Sequence, residues 1–232
     1  MQKSFCWLIL CSAFLCSWMA CGQPPKLARF TSGNKSVAYE KFGDELGGPL
    51  LIMLHGQGGP NVILYRQQAA YFAAQGYTVL FLHYFDATGS SMPTDESYSE
   101  WVRTVDDLIR ECKSRPEWSS RKIVLLGFSL GASVALAAGS QGVAVTAIAD
   151  WYGNLPDEFF RRLKGMPPLL ILHGQRDDII PIVNAKQLVR LCGMEHFTCE
   201  NHFYPDQSHG FMGKTLEDAD RRTLNFFSRL LR

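Results

Sequence analysis

Short apolar runs that alternate with stretches of helical periodicity constrain this chain more than any other feature. Residues 50–54, 78–82, 122–126, 145–149 and 169–172 are almost uninterrupted apolar segments. Such runs suit strands buried on both faces, as in a parallel sheet. Between them lie segments that read as helices: 61–75, 97–113, 130–138 and 184–191. In the second of these, Trp101, Val105, Leu108, Ile109 and Cys112 fall on one face. Leu216, Thr223, Phe227 and Leu230 do the same in a last helix. Residues 37–42 and Phe203-Tyr204 complete the expected strands. The alternation predicts an α/β fold with a mostly parallel central sheet and helices on both faces.

A chain of 232 residues holds one domain with a full core. Its formal charge is +1, and no basic stripe with interleaved aromatics is present, so nucleic acid is not an expected partner. The first residues stand apart. Lys3 is the lone charge before Lys26, and an apolar run from Phe5 to Ala20 follows it. That length suits a signal-peptide core and is short for a membrane span, which needs about 20 apolar residues. The run ends in Ala20-Cys21-Gly22, which resembles a bacterial lipoprotein cleavage site, with Trp18 where a Leu is usual. The expected division is 1–21 signal peptide with Cys21 as lipid anchor, 22–34 tether, and 35–232 the folded domain. The protein is then exported to a bacterial cell envelope, lipid-anchored or periplasmic, with membrane attachment through Cys21. Export permits disulfides. Cys192 and Cys199 flank a short Gly-containing turn and are the expected pair. No Cys or His spacing suggests a metal site, and no cofactor is implied.

Four expected strands run into unusual loops, after Leu54, Leu126, Leu172 and Tyr204. In open α/β sheets, ligands bind at the carboxyl ends of strands, so these loops share one edge. One contains Gly127-Phe128-Ser129-Leu130-Gly131. A bare Gly-x-Ser-x-Gly arises by chance in roughly a tenth of chains this long. Here it lies between an apolar strand and a small-residue helix, the setting in which a tight turn lifts a Ser above the sheet edge. A hydroxyl needs a base to become a nucleophile. His209 follows the last strand, and the loop after Leu172 carries Asp177 and Asp178, of which Asp177 is preferred as its acceptor. The order Ser129, Asp177, His209 matches that expected of a strand–turn–helix nucleophile on such a sheet. Leu130 N–H and Gln57 N–H are the candidate oxyanion donors, each typically worth about 2.7–4 kcal/mol in the transition state. The Gly-rich loop at Gln57 lacks the Gly-Lys-Ser/Thr ending of a phosphate-binding loop.

Taken together, Leu54-His55-Gly56, the run His83 to Gly89, the Ser129 motif, His173-Gly174 with Asp177 and Pro181, and Ser208-His209-Gly210-Phe211 resemble the dienelactone hydrolase family of the α/β-hydrolases. The resemblance covers roughly residues 35 to 230. It implies an α/β-hydrolase fold and hydrolysis through an acyl-enzyme. The enzyme that names the family uses Cys as nucleophile, whereas this chain has Ser129. The implied substrate is therefore a small-molecule ester, lactone or thioester in general. A small serine oligopeptidase, an acyl-protein thioesterase and a catalytically inactive exported binding protein are the alternative readings. Only residues 153–168 separate two strands where relatives insert a cap, so no cap domain and an open, shallow site are expected. Trp151, Tyr152 and the Phe85-Asp86 loop are its candidate walls, with Asp86 a candidate substrate contact.

Overall fold

The computed structural model describes residues 25–44 and 47–232. The expected signal peptide and Cys21 lie outside the described residues. Eight strands form one sheet: β1 (Lys26–Ser32), β2 (Lys35–Phe42), β3 (Leu50–Leu54), β4 (Thr78–Leu82), β5 (Ile123–Phe128), β6 (Ala147–Trp151), β7 (Leu169–Gly174) and β8 (Cys199–Tyr204). Their spatial order is β1-β2-β4-β3-β5-β6-β7-β8. The first two pairings are antiparallel and the other five are parallel. The helices are α1 (Ile63–Ala74), α2 (Asp95–Ser114), α3 (Leu130–Ser140), α4 (Asp157–Arg161), α5 (Ile182–Met194) and α6 (Gly213–Leu230). This is an α/β-hydrolase fold. Between β6 and β7 only the five-residue α4 intervenes, so no cap domain covers the sheet edge.

The apolar runs are explained by two cores. Along β3, Leu50, Ile52 and Leu54 join one core, while Leu51 and Met53 join the other. Helices α2, α3 and α5 bury Trp101, Val134 and Leu188 on the first face. Helices α1 and α6 bury Phe72 and Phe227 on the second. A strand position with no solvent face favours an apolar side chain, and each fully buried Leu or Phe contributes about 1.5–3 kcal/mol. Thr94 caps α2 by accepting from Ser97 N–H at 3.2 Å, with Asp95 and Glu96 favourably placed in its first turn.

Part of the expected tether is folded. Residues 26–32 form β1 and pair with β2 from Lys26↔Lys41 to Ser32↔Lys35. Gly33 at φ 57° opens the two-residue turn between them, the position where a hairpin of this length takes Gly. The Gly33-Asn34 dipeptide was thus a readable hairpin signal. Phe30 is buried within β1 while Leu27 is exposed, so the strand has one face in the core.

The other edge strand, β8, is mostly polar on its exposed positions, and Arg229 of α6 pairs with Glu200 at 2.6 Å. Charged side chains on an edge discourage pairing with other chains. A disulfide joins Cys192 of α5 to Cys199 of β8, with Cα atoms 6.2 Å apart. Cys112 remains a buried free thiol. Replacing Cys192 and Cys199 together with Ser is expected to lower the unfolding free energy by about 2 kcal/mol, as for a short closed loop. Urea melts of the two proteins would measure it, and equal midpoints would refute a stabilising role.

Candidate active site

Ser129 occupies the turn between β5 and α3 with φ 53° and ψ −120°. Such a backbone costs a non-glycine residue on the order of 1–3 kcal/mol, and it persists only where its surroundings enforce it. They do so by close approach. A Cβ on Gly127 would lie 2.4 Å from Ala132 Cα, and one on Gly131 would lie 2.3 Å from the His55 carbonyl oxygen. Ser129 N–H is also held, donating to Trp151 O at 2.9 Å. The side chain consequently stands at the carboxyl edge of the sheet, at the amino end of α3.

The loops after β7 and β8 converge on it. Asp177 is buried, whereas Asp178 is exposed, which separates the two candidates. Asp177 Oδ1 accepts from Ile179 N–H at 3.0 Å and Ile180 N–H at 2.8 Å. Its Oδ2 lies 2.8 Å from His209 Nδ1. A carboxylate only accepts, so Nδ1 carries the proton and Nε2 is left as an acceptor. Ser129 Oγ lies 2.7 Å from that Nε2 and donates to it. The structure thus brings Ser129, His209 and Asp177 into one hydrogen-bonded chain.

The loop after β3 lies against this turn: a Cβ on Gly56 would sit 3.3 Å from Ser129 Cβ. Gly59 N–H closes the loop onto Gly56 O at 3.0 Å. Gln57 is exposed within it. Leu130 is the first residue of α3, and a helix's first N–H has no partner within the helix. Among the described residues, neither the Gln57 nor the Leu130 N–H donates a loop or turn hydrogen bond. His55 anchors the loop. It is fully buried, stacks on Tyr84 at 4.3 Å and donates through Nδ1 to Gly56 O at 2.8 Å. Burial pushes its pKa down to about 3, so it stays neutral.

The expected walls are placed differently. Trp151 is fully buried; it donates from Nε1 to Thr223 Oγ1 of α6 at 3.0 Å and is a core residue. Strand alternation explains this, because residue 151 points to the α1–α6 face along with Ala149. Tyr152 is also buried, at φ 50°, with its ring 5.0 Å from that of His209. It backs His209 and does not form an open wall. Asp86 faces the hairpin: its Oδ2 accepts from Ala38 N–H of β2 at 3.0 Å and lies 3.8 Å from Arg29 Nη1. A turn carboxylate beside an unpaired strand amide is drawn to that amide. Sequence reasoning missed Tyr65 in the first turn of α1. Its hydroxyl presses on Gly56, where a Cβ would come within 2.5 Å of it.

Segments that follow the strands expose several large apolar side chains: Val62 and Ile63 after β3, Met92 after β4, Ile179 and Val183 after β7, and Met212 after β8. Met212 is exposed by 80% and Ile63 by 71%. Among the described residues, no cluster of His, Cys, Asp or Glu is arranged to hold a metal ion.

Comparison with known proteins agrees with this geometry. A search of the curated proteins finds no match. Among solved structures, a dienelactone hydrolase-like promiscuous phosphotriesterase from metagenomic libraries superposes with a TM-score of 0.76 at 18% identity, covering 90% of this chain and 98% of that one. An esterase from Pyrococcus furiosus gives 0.73 at 16% identity, covering 90% and 91%. The dienelactone hydrolase of Anabaena variabilis gives 0.70 at 16% identity, covering 90% and 100%. These likenesses establish the fold. The model of the dienelactone hydrolase family matches residues 44–229, which hold six of the eight strands and the loops that carry Ser129, Asp177 and His209. The chain therefore belongs to the dienelactone hydrolase family and is a carboxylic ester hydrolase.

Proposed function

We propose that this protein is a serine hydrolase that cleaves a carboxylic ester, lactone or thioester through an acyl-enzyme on Ser129. The observation that carries the reading is the chain from Ser129 Oγ to His209 Nε2 at 2.7 Å and from His209 Nδ1 to Asp177 at 2.8 Å. Ser129 Oγ attacks the carbonyl carbon while its proton passes to His209 Nε2. The carbonyl π electrons move to oxygen, and the Leu130 and Gln57 N–H groups hold that oxyanion. As the carbonyl re-forms, the bond to the leaving oxygen or sulfur breaks, and His209 returns the proton to it. Water then repeats the sequence on the acyl-serine and releases the acid. Asp177 keeps His209 oriented and stabilises its cationic form.

Ser129→Ala is expected to lower kcat for p-nitrophenyl butyrate by about 10⁴-fold or more and to abolish labelling by a fluorophosphonate probe. Undiminished turnover by this variant would overturn the reading. Labelling of the wild type also excludes an inactive binding protein.

The exposed apolar side chains in the segments that follow Asp177 and His209, Ile179 and Met212, support an ester with an apolar acyl chain as substrate. Each methylene taken out of water contributes about 0.8 kcal/mol, so kcat/KM rises by up to about fourfold per carbon while the chain still meets the rim. The measurement is a p-nitrophenyl ester series from acetate to dodecanoate. Wild type is expected to favour the longer chains, and a protein carrying both Ile179→Ser and Met212→Ser to respond weakly to length. A wild-type preference for acetate would refute this.

We also propose export and lipidation at Cys21. The Cys192–Cys199 disulfide supports an oxidising compartment. A palmitate analogue fed to expressing bacteria is expected to label the full chain and not Cys21→Ala; an unlabelled wild type would sink the anchor.

A further inference from the structure

The oxyanion donor on the loop after β3 belongs to the peptide between Gly56 and Gln57. That peptide is trans and planar, so its N–H points opposite to the Gly56 carbonyl. Whatever fixes Gly56 O therefore fixes the aim of the Gln57 N–H. Two donors reach this oxygen, Gly59 N–H at 3.0 Å and His55 Nδ1 at 2.8 Å. The first is a turn contact within the loop. The second depends on where the His55 ring stands.

That ring is held by Tyr84, in the short helical turn Tyr84–Ala87 that follows β4. The two rings stack with centroids 4.3 Å apart and planes 17° apart. The Tyr84 hydroxyl donates to His55 O at 2.8 Å. One side chain thus holds both the imidazole and the carbonyl of His55. Tyr84 is fully buried in the core beneath α2, α3 and α5, so it acts on the loop and not on substrate.

Tyr65 of α1 meets the loop from the other face of the sheet. Its ring lies 6.3 Å from that of Phe81 and 5.2 Å from that of Phe128, both in the core beneath α1 and α6. Its hydroxyl takes the place of a side chain at position 56. A Cβ there would lie 2.5 Å from the Tyr65 hydroxyl oxygen, and 3.3 Å from both Phe128 O and Ser129 Cβ. Gly56 is not at positive φ, so glycine is needed here for space. Burial pushes both phenols above their ordinary range, for Tyr65 against an opposing contact with the Gly56 backbone, so each keeps its proton.

We propose that Tyr84 and Tyr65 are positioning residues for the oxyanion hole, clamping the His55–Gly56 segment from opposite faces so that the Gln57 N–H faces the same oxygen as the Leu130 N–H. The proposal rests on the reading of Ser129 as nucleophile with these two N–H groups as its oxyanion donors, and it deepens that reading. Removing one oxyanion donor costs about 10²–10³-fold in kcat, and misplacing one costs part of that.

Tyr84→Phe and Tyr65→Phe keep the rings and remove only the hydroxyls. With p-nitrophenyl butyrate each is expected to lower kcat about tenfold, with KM within about threefold. The second readout is the Ki of an alkyl trifluoromethyl ketone. Ser129 Oγ adds to its carbonyl carbon as the proton passes to His209, and the carbonyl oxygen becomes an oxyanion in the hole. Ki should rise in proportion to the fall in kcat/KM, because both report binding of the transition state. A loss of active enzyme alone would lower kcat and leave Ki unmoved. Wild-type kcat in either variant, or a fallen kcat with wild-type Ki, would overturn the proposal. Should a phenylalanine variant fail to fold, a size swap decides. Gly56→Ala sets a methyl against the Tyr65 hydroxyl and is expected to lower kcat at least about tenfold. Adding Tyr65→Phe frees that space and should raise kcat again by about threefold or more. No recovery would refute the clamp. Ser129→Ala, run beside them, separates the outcomes: activity retained there removes the nucleophile assignment, whereas activity lost there with wild-type kcat in the tyrosine variants removes only this proposal.

Discussion

The backbone of Ser129 is held in a conformation that its own side chain disfavours, and the middle of the sheet is arranged to keep it there. At φ 53° the residue has no relaxed alternative that would preserve its neighbours. Gly127 lies on Ala132 and Gly131 lies on the carbonyls of β3, each at a distance no Cβ could occupy. The elbow therefore depends on contact among β3, β5, β6 and α3 at once. Because those elements are buried on both faces, the strain is opposed by the core as a whole. No single bond carries it.

Position on the sheet does the rest. Parallel strands all end on the same edge, so loops far apart in sequence meet without a special device. Asp177 is fixed by two backbone amides of its own loop through one carboxylate oxygen, which leaves the other for His209. His209 is backed by Tyr152, itself at positive φ. The site thus combines a serine on a strained backbone with partners held by buried contacts, which is a preorganised hydrogen-bonded chain.

Much of this was legible in the sequence, and the reasons differ from residue to residue. The parallel strands were readable because burial on both faces forces an apolar run, which few other structures need. Ser129 and Asp177 were readable because each follows such a run, and His209 because it follows the last expected strand. Residues 26–32 were not read as a strand: Pro24-Pro25 and the exposed Leu27 hide the alternation, and the Gly33-Asn34 turn was the missed clue. Trp151 was misplaced because nearness in sequence to the site does not say which way a strand residue points. Asp86 was misplaced for a related reason, since a polar loop residue answers first to the nearest unpaired amide.

The Cys192–Cys199 bridge has an architectural consequence. Helix α5 starts just after the Asp177 loop, and β8 leads directly into the His209 loop. Crosslinking α5 to β8 closes a covalent ring of residues 192–199, with the stretch 193–198 as its arc, and Asp177 and His209 lie on the two chain segments that lead into and out of it. The bridge ties those two segments together by a path that bypasses the arc. The arc can therefore lengthen, shorten or acquire a new surface over evolutionary time while the two groups keep their alignment. Ser129 sits apart from the bridged segments, on the central strands of the sheet.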